Sequence, residues 1–186
     1  MKKIALLGDS IRLMGYGLKV PELLGKGYEI FQPDENCRFS KYTLRGVLRE
    51  WKDNLWGCDL IHWNNGLWDA CDFGDGVFTH KSEYAENMLR IAKVLKQYSD
   101  KVVFATTTPV ADENEYNDNR SIKEYNEFIV PKLKEEGIII NDLHNLVYAD
   151  IDRYIRKDDN IHLTDDGIDI CAKRVAEVIK SALGDK

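Results

Sequence analysis

Five short apolar runs recur along this chain, each followed by a longer segment of helical period, and that alternation constrains the fold more than any other feature. The runs are Ile4-Ala5-Leu6-Leu7, Tyr28-Glu29-Ile30-Phe31 between Gly27 and Pro33, Asp59-Leu60-Ile61-His62-Trp63, "VVFATTT" over 102–108 and "GIIIND" over 137–142. Most are continuous rather than alternating, as strands covered on both faces require. Strand and helix taking turns over short connections specify a right-handed, three-layer α/β/α sandwich around a central parallel sheet of about five strands. With no linker rich in Pro, Gly or Ser and no internal repeat, the expectation is a single domain over residues 1–186, long enough to bury a sizeable core.

The helical segments carry their own signatures. In "TLRGVLREWKDNLW", Leu44, Val47, Leu48, Trp51 and Leu55 fall on one face of one helix. A second helix runs from an N-cap at Ser82 to Tyr98. A third covers Ser121 to Glu136, with Pro131 inside it predicting a kink or a late start. The last begins at Thr164-Asp165-Asp166 and carries Ile168, Ala172, Val175, Val178 and Ile179 on its apolar stripe.

Charge narrows the partners. The formal net charge is −6, spread along the chain without a Lys/Arg block, which disfavours nucleic acid. Two lysines and five residues precede Asp9, too short a stretch for a signal peptide, and no apolar run approaches the ~18 residues of a membrane span. The expectation is a soluble, cytoplasmic protein with no membrane partner. Cys37, Cys58, Cys71 and Cys171 form no C-x-x-C pair, so reduced, buried thiols are expected rather than disulfides or a zinc site.

Three clusters could carry chemistry. Gly8-Asp9-Ser10 ends the first strand at the edge where open α/β sheets keep their sites. A serine hydroxyl is a weak nucleophile until a base takes its proton, and such a sequence is also an ordinary turn. "DDNIHLTDDG", residues 158–167, sets Asp159 three residues before His162. An imidazole needs a carboxylate on one nitrogen to leave the other free as a base, although an exposed capping turn has the same composition. "IHWNNGLWD", residues 61–69, ends the third strand on two asparagines. Their amides can donate to a developing oxyanion, while Asn-Gly is also a common turn dipeptide.

Taken together, "LLGDS" and "DNIHLTDDG" resemble the SGNH hydrolases, the GDSL-type esterases and lipases. The resemblance spans Gly8 to Gly167 and keeps the family's order Ser, Asn, Asp, His. It implies a flavodoxin-like sandwich, Ser10 as nucleophile, His162 as base and Asp159 as its orienting carboxylate. It further implies an oxyanion hole made by the Ser10 N–H, an asparagine amide and one more backbone N–H, with no metal or organic cofactor and a small-molecule ester as substrate. Asp9 is structural in this comparison, and His62, His80 and His144 have no catalytic partner motif.

Two departures matter. The family's G-x-N-D block is here Trp63-Asn64-Asn65-Gly66, similar to a subgroup of carbohydrate esterases; this makes Asn64 the amide donor, or Asn65 one register later. The block that normally carries a glycine is "ENCRFSKYT", residues 35–43, so the backbone donor is Arg38, the first choice, or Lys41. The absence of a lid insertion favours short acyl groups such as acetyl. Trp63 and Trp68, with Phe73, Phe78 and interleaved aspartates, suit a sugar ring, or else simply fill the core. The competing reading is a non-catalytic small-molecule or carbohydrate-binding module on the same fold. A phosphate-binding flavodoxin-like protein lacks its glycine run, and a phosphatase using Asp9 lacks a second acid at Ile11. The sequence leaves oligomeric state and natural ester open.

Overall fold

A computed structural model describes residues 1–185. In chain order the elements are β1 (Lys2–Leu7), α1 (Ser10–Leu13), a 3-10 turn (Tyr16–Leu18), α2 (Val20–Leu24), β2 (Tyr28–Phe31), α3 (Ser40–Leu48), α4 (Lys52–Leu55) and β3 (Leu60–Asn64). There follow α5 (Leu67–Ala70), α6 (Lys81–Tyr98), β4 (Val102–Ala105), α7 (Asn119–Glu135), β5 (Ile139–Asn141), α8 (Leu143–Tyr148), α9 (Ile151–Tyr154) and α10 (Asp165–Leu183). The five strands form one sheet in the order β2-β1-β3-β4-β5, and every pair is parallel.

Right-handed crossovers then decide the layers. The chain steps outward from β1 to β2 and back past β1 to β3, so α2 and α3 fall on opposite faces. α3, α6 and α7 pack side by side on one, while α10 packs on α2 and α8 on the other. β1 and β3 are buried between the layers, as their unbroken apolar runs require, and the buried apolar side chains form one contiguous core. The direction of connection reverses between β1 and β3, which opens a crevice at their carboxyl ends. Both candidate clusters that end strands, Gly8-Asp9-Ser10 and Asn64-Asn65-Gly66, lie there.

Local expectations shift in instructive ways. The single helix expected over 43–56 is two, α3 and α4. Trp51 is buried, its N–H turns back to the Gly46 carbonyl at 2.9 Å, and Arg49 at φ −133° breaks the run. Ser82 is inside α6 rather than capping it, since the helix begins at Lys81. α7 runs through Pro131 and starts early, because the Asp118 side chain accepts from the N–H groups of Arg120 and Ser121. "VVFATTT" leaves the sheet after Ala105, where the Asn126 side chain takes the Thr107 N–H. Thr164 does cap α10, accepting from the Gly167 N–H at 3.1 Å. All four cysteines are free and buried, and among the described residues no helix is long and apolar enough to cross a membrane.

Candidate active site

The turn after β1 is built from buried charge. Asp9 caps α1, its Oδ1 accepting from the Ile11 N–H at 2.9 Å, so Ser10 occupies the first position of the helix. Burial pushes the Asp9 carboxyl up, while the neighbouring Asn64 amide, the Ile11 N–H, Arg12 and His162 pull it back. Its Oδ2 has no hydrogen-bond partner among the described residues. Asp9 is thus a structural cap. Arg12, fully buried, donates to the carbonyls of Pro33 (2.8 Å), Glu35 (2.8 Å) and Gly8 (3.2 Å). One guanidinium therefore ties the Ser10 turn to the segment leaving β2, matching a planar fork of donors to three carbonyls.

The imidazole arrives from the far end of the chain. His162 Nδ1 lies 2.9 Å from Asp159 Oδ2, so Nδ1 donates to the carboxylate and Nε2 is left free. Asp159 Oδ1 accepts from the N–H groups of Ile161 (3.0 Å) and His162 (2.9 Å), across a tight turn in which Asn160 takes the left-handed conformation at φ 60°. Asparagine tolerates that region better than most residues. Burial alone would raise the Asp159 carboxyl, but the His162 and Ile161 N–H groups and the imidazole together hold it at about 2. Arg156, which pairs with Asp158, also approaches Asp159 at 3.7 Å. The turn is fastened by Arg156 N–H to the His162 carbonyl (2.8 Å) and by Ala111 N–H to the Asn160 carbonyl (3.0 Å).

Ser10 and His162 line one cleft of about 480 Å³. A larger hollow of about 670 Å³ between α7 and β5 contains Thr106, Lys123 and His144 but neither Ser10 nor His162.

The two asparagines have different surroundings. Asn64, nearly buried, lies against Gly8 so closely that a Cβ there would sit 2.0 Å from Asn64 Oδ1, which explains the glycine before Asp9. The Tyr16 hydroxyl donates to that Oδ1 at 2.8 Å and so turns the NH₂ end of the amide away. Asn65 instead commits its Nδ2 to the Arg38 carbonyl and the Thr43 hydroxyl, both at 2.9 Å, and its carbonyl accepts from Tyr84 and Thr107. Gly66 makes the turn that follows at φ 145°, a conformation open to glycine.

Arg38 and Lys41 also separate. Arg38 is left-handed at φ 53°, and its N–H is already donated to Asn36 Oδ1 at 2.7 Å, an engagement that takes away the free donor expected there. Lys41, in the first turn of α3, has an N–H without an acceptor among the described residues. α3 has no side-chain cap of its own. The buried Asp69 from α5 supplies it, taking the Ser40 N–H at 2.9 Å and the Ser40 hydroxyl at 2.6 Å. Burial pushes that carboxyl up to about 6 despite Ser40 and Thr79.

The aromatic expectation is corrected at one position. Trp63 is 0% exposed and packs on Phe104 at 5.1 Å, so it is core and cannot meet a substrate. A strand covered on both faces leaves its side chains no other place. Trp68 is 38% exposed on α5 but does not line the cleft. His62 is buried against Asn141 at 3.2 Å and desolvation lowers it to about 3; His144 bonds the Thr107 carbonyl. Sequence reasoning missed Arg12, Tyr16 and Asp69, whose partners lie 21, 48 and 29 residues away.

This sheet order, with helices on both faces, is the α/β fold of the SGNH, or GDSL-type, hydrolases. It superposes on a lipase/acylhydrolase from Enterococcus faecalis with a TM-score of 0.81 at 17% identity, over 97% of this chain and 96% of that one. It also superposes on the acetyl xylan esterase AlAXEase (TM-score 0.77, 21% identity, 95% and 99% of the two chains). A catalytic mutant of an acetylxylan esterase from Geobacillus stearothermophilus gives a TM-score of 0.81 at 14% identity, over 100% of this chain and 95% of that one. No protein-family model and no curated protein matches the sequence.

Proposed function

We propose that the chain is a serine ester hydrolase that cleaves short acyl esters, acetyl foremost, through an acyl-enzyme. The observation that carries the reading is the Asp159-oriented imidazole of His162 on the same cleft as Ser10. His162 Nε2 takes the proton of Ser10 as its Oγ attacks the ester carbonyl, then gives it to the departing alcohol; water repeats the sequence to free the acid. The Ser10 N–H, the Lys41 N–H in preference to Arg38, and the Asn64 amide receive the oxyanion. Asn65 holds the Arg38 loop instead.

The fold neighbours support the reading. They include acylhydrolases and acetyl xylan esterases, and two are catalytic mutants of one esterase in which a serine or a histidine is replaced by alanine. A carbohydrate as the alcohol rests on the substrates named for those neighbours, now that Trp63 is withdrawn from it. The test is hydrolysis of p-nitrophenyl acetate and butyrate by wild type and Ser10→Ala. Activity on acetate, abolished in the variant, is expected; none in either favours the binding module, and full activity in Ser10→Ala overturns the nucleophile.

A further inference from the structure

The cleft that holds Ser10 and His162 is lopsided. Besides Ser10 and His162 its apolar lining is Ile11, Met14, Leu18, Leu163 and Ile168, and its polar lining is Arg156, Thr164 and Asp165. Leu18 is 66% exposed and Met14 49%, two large apolar side chains left open to solvent over about half their surface or more among the described residues. None of Asn64, Lys41 or Arg38 lines this space.

The chemistry proposed for the site decides which part of a substrate enters it. The tetrahedral carbon carries the Ser10 oxygen, the oxyanion, the acyl substituent and the leaving oxygen. The oxyanion faces its donors. The leaving oxygen must lie within hydrogen-bond reach of His162 Nε2, because that nitrogen delivers the proton when the carbon–oxygen bond breaks and the alcohol departs. The alcohol therefore extends past His162, along Met14 and Leu18. Of the polar lining, Arg156 already pairs with Asp158, and the Thr164 hydroxyl donates to the Arg153 carbonyl and accepts from the Gly167 N–H. That leaves Asp165 to serve a sugar's several hydroxyls, whereas an alkyl or aryl group along Met14 and Leu18 removes apolar surface from water.

We infer that this cleft is the leaving-group subsite and that it selects esters of apolar alcohols rather than acylated sugars. The inference rests on the serine-esterase reading and deepens it. Arg156 tolerates a polar or anionic end on such an alcohol but is not needed for it.

The experiment is a series of acetates, methyl, ethyl, propyl and butyl, beside an acetylated xylooligosaccharide, followed by acid release with wild type, Ser10→Ala and Leu18→Asp. The acyl group and the intrinsic reactivity stay nearly constant along the series, so kcat/KM reports the alcohol. Each methylene buried in the cleft raises it by up to about fourfold, and butyl acetate should exceed methyl acetate by about tenfold or more. Leu18→Asp, at an exposed position that folding does not depend on, should lower that butyl-to-methyl ratio severalfold. A flat series, or a preference for the acetylated xylooligosaccharide over butyl acetate, overturns the subsite. So does a wild type that self-associates through Met14 and Leu18 and is dissociated by Leu18→Asp with the ratio unchanged. Hydrolysis that survives Ser10→Ala, or is absent for every ester, instead overturns the esterase reading, and the subsite with it.

Discussion

The Tyr16 hydroxyl, from the 3-10 turn after α1, donates to Asn64 Oδ1 at the end of β3, 2.8 Å away. A side-chain amide can serve an oxyanion only through its NH₂ end, and this hydrogen bond decides which end is free. Asn64→Ala should lower kcat on p-nitrophenyl acetate by on the order of 10²–10³. Tyr16→Phe, which removes only the orienting bond, should cost up to about tenfold in kcat with KM little changed. Steady-state kinetics of the two variants checks both.

Asn65→Ala should behave differently. It removes the donors that satisfy the Arg38 carbonyl and the Thr43 hydroxyl, both beside α3. Stability should fall by about 1–3 kcal/mol in urea unfolding. If instead Asn65→Ala stayed as stable as wild type and lost the activity that Asn64→Ala kept, the roles of the two asparagines would be exchanged.

Asp159→Asn keeps the shape of the side chain but no longer fixes the imidazole tautomer. A fall in kcat on the order of 10⁴ is expected by analogy with other serine hydrolases. Because the carboxyl is held at about 2, Asp159 remains ionised far below neutrality, and the acid limb of the wild-type rate profile should not have its midpoint there.

His62 and Asp69 link stability to acid pH in opposite senses. His62 has a folded value of about 3 against 6.5 unfolded. The unfolded chain thus binds the extra proton between those values, and stability falls as pH falls from about 6.5 towards 3. Asp69 has a folded value of about 6 against 3.8. Here the folded chain binds the proton, and stability rises as pH falls from about 6 to 3.8. Over the shared window the two oppose each other. Asp69→Asn should therefore steepen the loss of stability as pH falls from about 6 to 4. Urea midpoints across that range decide the matter, and an unchanged slope would refute the assignment of either group.

Arg12→Leu should be among the most destabilising single changes. It leaves the carbonyls of Pro33, Glu35 and Gly8 without their buried donor, and each such bond to a charged group contributes about 1.5–3 kcal/mol. Arg12→Lys should recover only part of the loss, since an ammonium cannot reproduce the fork. Denaturant midpoints rank the three proteins.

The layer architecture and the Asp-His turn were legible because their signals are local: unbroken apolar runs, a D-x-x-H, a capping threonine. The burial of Trp63 was legible too, since the same unbroken run that marks β3 as doubly covered leaves no exposed face for a substrate. Asn36, two residues before Arg38, is an ordinary local acceptor for its N–H. Tyr16, Arg12 and Asp69 were not readable. Each acts across the crevice on a partner that only the tertiary fold brings near, and an arginine or aspartate that will be buried looks the same in sequence as one that will be solvated.

The proposed nucleophile and base come from segments far apart along the chain. Ser10 follows β1, whereas His162 sits in a turn just ahead of α10, which packs on α2 and α8. A chain in which α10 has not docked would hold the Ser10 hydroxyl without its proposed base. On the serine-esterase reading, Ser10-dependent hydrolysis would therefore report whether α10 is docked.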